Sequence, residues 1–126
     1  MSSSVAPTPM AGLKPGRLDL VVMQGDDLAL VFKMRDRAGQ PVDVSGWDWR
    51  AEVRRHERGL LLAQFALSVG GGLDLHELRC ELAATTTWEI PTGSWPWDLV
   101  VAEGWPTTRT ILAGRLRVLH RATKVE

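Results

Sequence analysis

The sequence has little cysteine, no excess charge of either sign and no long apolar run. Its single cysteine, Cys80, cannot form an internal disulfide, so nothing implies an oxidising compartment. Lys plus Arg and Asp plus Glu both number 15, and this balance argues against nucleic acid as the main partner. No apolar run approaches the roughly 20 residues of a membrane helix, and the N-terminus lacks a signal-peptide stretch. We therefore expect a globular protein that binds neither nucleic acid nor membrane.

Familiar catalytic and ligand-binding motifs are also missing. The chain has no phosphate-cradling GxGxxG or GxxxxGK loop, no GxSxG nucleophile elbow and no HExxH. His76 and Cys80 would lie about 13 Å apart on a strand, too far for a shared metal ion. On a helix they could meet, but two ligands would still fall short of a structural zinc site. We therefore expect no enzymatic activity, no cofactor and no bound metal.

What the sequence has instead is an alternation of apolar and polar residues. Its 126 residues are 44% hydrophobic and 24% charged, which is ordinary for one globular domain. The stretch 73–82 fits one face of a helix as well as a strand, but its β-type neighbours favour a strand. Period-two alternation, with the apolar stretch LLLAQFAL, predicts six or seven strands, which fall at residues 18–22, 28–34, 47–54, 60–67, 73–82, 95–101 and 112–118.

Short strands spaced about 8 to 12 residues apart are typical of an all-β sandwich. We therefore predict an immunoglobulin-like antiparallel β-sandwich of about seven strands, without the disulfide of antibody domains. A parallel sheet is not expected, because no segment has the length and pattern of a crossover helix. Residues 83–88, AATTTW, form a short link that could make one helical turn before Pro91.

The chain divides into three parts. Residues 1–16, MSSSVAPTPMAGLKPG, lack periodicity and contain three prolines, which predicts an extended N-terminal arm. Residues 17–123 form the predicted sandwich, and residues 124–126 are a C-terminal tail. We expect the arm to lie against a neighbouring subunit. Together with a tryptophan in the predicted turn EGWP, it supplies the candidate partner-binding residues: Val5, Pro7, Pro9, Met10, Leu13 and Trp105.

Two tryptophan pairs, in GWDWRAEVRR and GSWPWDLVV, raise the question of a binding platform. Side chains two residues apart share one face of a strand, so Trp47 and Trp49 point away from the charged face. This pattern favours core or interface over an exposed sugar or peptide platform. Pro96, between the second pair, predicts that this strand begins at an edge or carries a bulge. The pattern leaves Trp88 between the two interpretations, core or exposed platform.

The predicted core combines one tryptophan pair, half of the other and apolar residues of the neighbouring strands. Its members are Leu30, Phe32, Trp47, Trp49, Trp97, Leu99, Leu116 and Val118.

Two segments resemble immunoglobulin-like modules of bacteriophage tail and baseplate proteins, such as the N-terminal module of baseplate upper proteins. QGDDLALVFKMRDRAGQPVDVSGWDWRAEVRR, residues 24–55, resembles the opening of such modules, with a QGD-type turn, a charged turn and an aromatic-bearing strand. Residues 82–104, LAATTTWEIPTGSWPWDLVVAEG, followed by TRTILAGRLRV, resemble their close. The closing pattern falls on Leu82, Thr87, Pro91, Gly93, Trp95, Trp97, Asp98, Leu99, Leu112, Gly114, Leu116 and Val118.

The chain departs from that pattern in two ways: it has tryptophan where such modules often have tyrosine, and it carries a proline inside the second aromatic pair. The resemblance implies a non-enzymatic virion structural protein, assembled in the host cytoplasm. It would act as an adaptor in the tail, baseplate or neck, docking other virion proteins and copies of itself in a symmetric particle.

One alternative is a capsid-decorating protein, and the copy number per particle would distinguish it from a tail adaptor. Another is a carbohydrate-binding module for host attachment, which requires an exposed aromatic row. A domain of an ordinary bacterial protein is a third.

Overall fold

The computed structural model describes residues 15–36, 38–69, 75–104 and 107–122. Over these ranges the chain is an all-β immunoglobulin-like sandwich, which confirms the fold predicted from the alternation. Two sheets face one another, and one short helix lies at a corner between them. The elements are β1 Gly16–Arg17, β2 Leu20–Met23, β3 Leu28–Lys33, β4 Asp48–Arg54, β5 Leu61–Gln64, β6 Ala66–Val69, β7 Glu77–Leu82, α1 Ala84–Glu89, β8 Gly93–Gly104 and β9 Thr107–Leu119.

The sheet order is that of an immunoglobulin domain. The larger sheet runs β1-β9-β8-β4-β5, with β2 also on β9, and the smaller sheet runs β3-β7-β6. In immunoglobulin lettering, β4, β8 and β9 are strands C, F and G, while β3, β7 and β6 are strands B, E and D. The conserved disulfide of antibody domains has no counterpart here, because Cys80 is a free, buried thiol on β7.

The structure has nine strands among the described residues, because one predicted stretch is divided in two and one short strand was not predicted. The first predicted stretch, 18–22, becomes a strand only at Leu20, as β2, and the unpredicted strand β1 precedes it, with Gly16 in what was predicted as the arm. The stretch 60–67 is broken at the buried Phe65, where the chain leaves the larger sheet as β5 and enters the smaller one as β6. In the ambiguous stretch, β7 covers Glu77–Leu82, so the strand interpretation is confirmed there.

Two strand pairings in the sandwich are parallel, a feature that the alternation does not reveal. Both β1 and β2 run parallel to β9, with Gly16 beside Leu112 and Leu20 beside Leu116. All other strand pairs are antiparallel. The parallel pair needs no crossover helix, because the chain between β2 and β9 passes through the rest of both sheets.

The core lies between the sheets and follows the period of two. Along β4, the buried Trp49, Ala51 and Val53 alternate with the more exposed Asp48, Arg50 and Glu52. Five of the eight predicted core residues are buried: Trp49, Trp97, Leu99, Leu116 and Val118. The other three, Leu30, Phe32 and Trp47, pack against the core but are only partly buried. The prediction was wrong in the extent of burial of these three residues. Leu30 and Phe32 lie on the edge strand β3, and Trp47 lies just before β4.

Turn geometry agrees with the sequence at several points. Gly39, in the segment DRAGQP, has φ 83°, and Arg58, between β4 and β5, has φ 60°. Pairing between β8 and β4 ends at Trp97, so Pro96 pairs with β9 alone, as the edge prediction requires. The predicted helical turn is α1. Within the described ranges, no helix has the length and apolarity to span a bilayer.

Candidate docking surfaces

The tryptophan pairs pack inward rather than forming an exposed row. Trp97 is 2% exposed and Trp49 is 8% exposed, which confirms their predicted place in the core. Trp47 and Trp95 are partly buried and pack against the same core. The Trp47 and Trp49 ring centroids are 5.9 Å apart, a tilted contact typical of packed aromatic pairs.

Hydrogen bonds fix the indole orientations. Trp97 Nε1 donates to the Leu18 carbonyl over 2.8 Å, and Trp95 Nε1 donates to the Pro91 carbonyl over 2.8 Å. The guanidinium of Arg55 lies 5.3 Å from the Trp95 ring centroid, within cation–π range. These rings therefore have a structural role: the Nε1–H groups of Trp95 and Trp97 bind backbone carbonyls, while the apolar ring atoms pack against the core.

A second organising feature is the corner where the QGDD turn meets α1. The buried Thr87 hydroxyl donates to the Asp26 carbonyl over 2.7 Å and accepts from the Gly25 N–H over 3.1 Å. Gln24 Nε2 donates to the Ile90 carbonyl over 2.8 Å. Asp27 Oδ1 accepts from the N–H of Ala84, the first residue of α1. We call these contacts the QGDD–α1 clamp.

The clamp positions an exposed indole. Trp88 is 41% exposed, and it is the one indole in the described ranges that qualifies as exposed. It lies over Gly25, and Arg121 on the same side forms a 2.8 Å ion pair with Asp26. A tryptophan beside an arginine has the composition of an interaction hot spot, because these two residue types are enriched among the side chains that carry most of the binding energy at interfaces.

A groove of about 1120 Å³ crosses the outward face of the larger sheet. On its floor, Asp98 of β8 lies directly opposite Glu52 of β4. Arg54 forms a 2.7 Å ion pair with Glu52. Burial, and then the charge of Glu52, raise the pKa of the Asp98 carboxyl, while Arg54 acts in the opposite direction. Charges of both signs line this groove: Arg17, Glu52, Arg54, Glu57, Arg58, Asp98 and Arg115.

The strand edges differ in how well they are protected. At β5 the pairing with β4 shifts register between Val53 and Arg54, and Leu60 just before the strand is 64% exposed. Strand β3 pairs with β7 over six residues without a register shift. Its outward side chains include Ala29 and Val31, and Val31 is 49% exposed. Regular edges with little charge, such as this one, can accept another strand.

Within the described ranges, no group of three or more His, Cys, Asp or Glu side chains is arranged to hold a metal ion. Cys80 is fully buried, and burial raises the pKa of its thiol to about 12. The predicted partner-binding residues lie outside the described residues: Val5, Pro7, Pro9, Met10, Leu13 and Trp105.

Sequence reasoning did not identify the part played by Thr87. The two segments that resemble phage modules contain the only hint of this role. One has a QGD turn, and the other has a helical turn that ends in threonine. The partners are 61 and 62 residues apart, so local periodicity cannot pair them.

Two solved structures are distantly similar to this chain. No family model matches the sequence, and no curated protein matches it. The solution structure of amebosin is 11% identical, with a TM-score of 0.39, over 83% of this chain and 98% of that one. The crystal structure of the ZIG-8-RIG-5 IG1-IG1 heterodimer is 12% identical, with a TM-score of 0.35, over 89% of each chain. Likeness at this level carries no argument about function.

Proposed function

We propose that the chain is a non-enzymatic structural subunit of a bacteriophage virion, an adaptor that docks neighbouring subunits in the tail, baseplate or neck. The observation that carries the proposal is the QGDD–α1 clamp. The two segments that resemble phage modules lie far apart in sequence, yet Gln24, Gly25 and Asp27 of one bind Ile90, Thr87 and Ala84 of the other. Residues shared with the family pattern therefore act together as a single structural unit.

The packed core and the exposed strand edges support docking through the edges of the sandwich rather than catalysis in a cleft. The interior is filled by apolar side chains, including Trp49 and Trp97. What the domain offers to partners is a set of strand edges, the exposed Trp88 and the predicted N-terminal arm. Arms can cover large areas at low affinity per unit area, and repetition in a symmetric particle multiplies weak contacts.

Quantitative mass spectrometry of purified phage particles from the source tests the proposal. We expect the chain at a constant ratio to the other tail proteins, and in the tail fraction after heads and tails are separated. A high copy number in the head fraction would instead support the capsid-decorating alternative. Absence from intact particles would contradict both.

The carbohydrate-binding alternative needs a row of exposed aromatic rings. Trp47 and Trp95 are partly buried, and Trp49 and Trp97 are buried, which favours the structural proposal over a sugar platform. Titration of oligosaccharides into the millimolar range, followed by tryptophan fluorescence, separates the two functions. We expect an unchanged spectrum, whereas a saturable change would support the carbohydrate-binding alternative.

A further inference from the structure

The free edge of β3 is the least protected edge of the sandwich. Among the described residues, β3 pairs with β7 on one side and with nothing on the other. Natural edge strands are usually blunted by charge, proline, bulges or short length. Over its first five residues, Leu28 to Phe32, β3 carries no charge, proline or register shift, and Lys33 is its only charged residue.

The other edges carry more protection. Strand β5 spans four residues beside a register shift. The edge formed by β1 and β2 is interrupted at Leu18 and Asp19, and Arg17 and Asp19 place a 3.1 Å ion pair on it. Strand β6 spans only four residues. A strand added from outside therefore finds its longest regular template at β3.

The sequence of the arm is suited to fill such an edge from one side only. Within VAPTPM, residues 5–10, prolines occupy positions 7 and 9. In a strand, the backbone N–H groups of consecutive residues point to opposite sides, so in an extended arm two prolines that are two residues apart would face the same side. The N–H groups of Ala6, Thr8 and Met10 would then face the other side, where they could pair with a neighbouring strand. A strand of this kind can pair along one of its edges but not along the other, which lacks N–H donors. Proline is tolerated in edge strands for this reason, with its side of the backbone facing solvent.

We propose that residues 5–10 of one copy add as a strand to the free β3 edge of a second copy. This inference rests on the proposed function, because it names the contact by which the adaptor joins copies of itself. Each chain then carries one donor segment and one acceptor edge. Such a pair of complementary surfaces produces either a reciprocal dimer or a head-to-tail ring. The outward prolines end the sheet at the added strand, so further lateral growth stops there.

Matched proline variants in the arm test the pairing side in the full chain. Thr8→Pro removes a donor from the side that pairs, whereas Val5→Pro adds a third proline to the side that already lacks donors. Sedimentation velocity over a concentration series is expected to show self-association for the wild type and Val5→Pro, and its loss for Thr8→Pro. Equal loss in both variants would overturn the proposed register. A wild-type protein that stays monomeric throughout would overturn the proposal.

A second matched pair tests the acceptor edge. Val31→Lys places a charge on the exposed face of β3, and Ser68→Lys does the same on the exposed face of β6, the opposite edge of the smaller sheet. We expect Val31→Lys to abolish self-association and Ser68→Lys to leave it intact. Thermal unfolding of each variant checks that the sandwich itself is retained.

Amide hydrogen exchange distinguishes a second copy from the chain's own arm. Pairing between copies predicts that protection of residues 28–33 rises with protein concentration and vanishes in Thr8→Pro. Protection that is already complete at the lowest concentration would place the arm on its own β3 edge and overturn pairing between copies. Absence of pairing between copies would not contradict the proposed virion function, because mass spectrometry of purified particles tests that function independently.

Discussion

The indole Nε1–H of Trp97 donates a 2.8 Å hydrogen bond to the carbonyl of Leu18, 79 residues earlier in the chain. Leu18 lies at the interruption between β1 and β2, where the Asp19 carboxylate accepts the backbone N–H of Arg115 over 2.9 Å. A Cβ atom on Gly114 would overlap the Leu18 carbonyl. The interruption, the indole and the glycine therefore form one unit that holds the first strands against β9.

We expect Gly114→Ala to destabilise the domain by about 1–3 kcal/mol, because the new methyl group meets backbone that cannot move aside without losing strand pairing. Urea unfolding measures the change. Gly46→Ala is the matched control, since nothing lies within 4 Å of a Cβ placed there. Equal stability of the two variants would contradict the close approach of Leu18 to Gly114.

The QGDD–α1 clamp predicts a sharp difference between two substitutions at Thr87. Thr87→Val keeps the shape but leaves the Gly25 N–H and the Asp26 carbonyl without their partner, which is expected to cost about 1–3 kcal/mol. Thr87→Ser keeps the hydroxyl and is expected to lose less, because it removes only a methyl group. Thermal unfolding compares the two. The clamp would be unsupported if Val proved as stable as the wild type.

Cys80 is expected to resist alkylation in the folded protein. Its thiol is buried, and burial raises its pKa to about 12, so the reactive thiolate does not form near neutral pH. Iodoacetamide should label Cys80 only after unfolding in urea, as read by intact mass. Because the folded pKa is raised, the stability from the neutral thiol is present below about pH 8.5 and declines as pH rises towards 12. Rapid labelling of the native protein would contradict this burial.

Asp98→Asn is expected to stabilise the folded protein near neutral pH. Folding raises the pKa of Asp98 through burial and the facing Glu52, so the charged carboxylate is disfavoured in the sheet. Stability linked to the protonated form is present below the ordinary pKa of about 3.9 and is lost as pH rises through the folded value. The advantage of the variant should therefore shrink in acid. Urea unfolding across pH measures it, with the largely exposed Asp48→Asn as control; a destabilised Asp98→Asn would contradict the account.

Much of the sandwich could be predicted from the sequence because burial follows a period of two. That rule placed Trp49, Trp97 and Leu99 in the core, and it favoured a strand for residues 77–82. It failed where position in the sheet overrides alternation. Leu30 and Phe32 alternate correctly but lie on an edge strand, where one flank stays open to water.

Features that depend on distant partners could not be predicted in this way. The interruption at Leu18 is set by Trp97 and Gly114, which meet it only after β9 has paired with β1 and β2. The crossing between sheets at Phe65 also cannot be recognised in LLLAQFAL, because apolar residues continue on both sides of it without a turn residue. For the docking surfaces, the sequence indicated the arm, whereas the free β3 edge emerged only from the order of the strands.

The proposed function requires that the paired tryptophans belong to the interior and that the strand edges and the arm serve for attachment. Exchange of indole N–H protons, followed by NMR, tests it most directly, because Trp97 and the exposed Trp88 occur in the same molecule. We predict slow exchange for the hydrogen-bonded Trp97 Nε1–H and fast exchange for Trp88. Exchange at Trp97 as fast as at Trp88 would contradict the account.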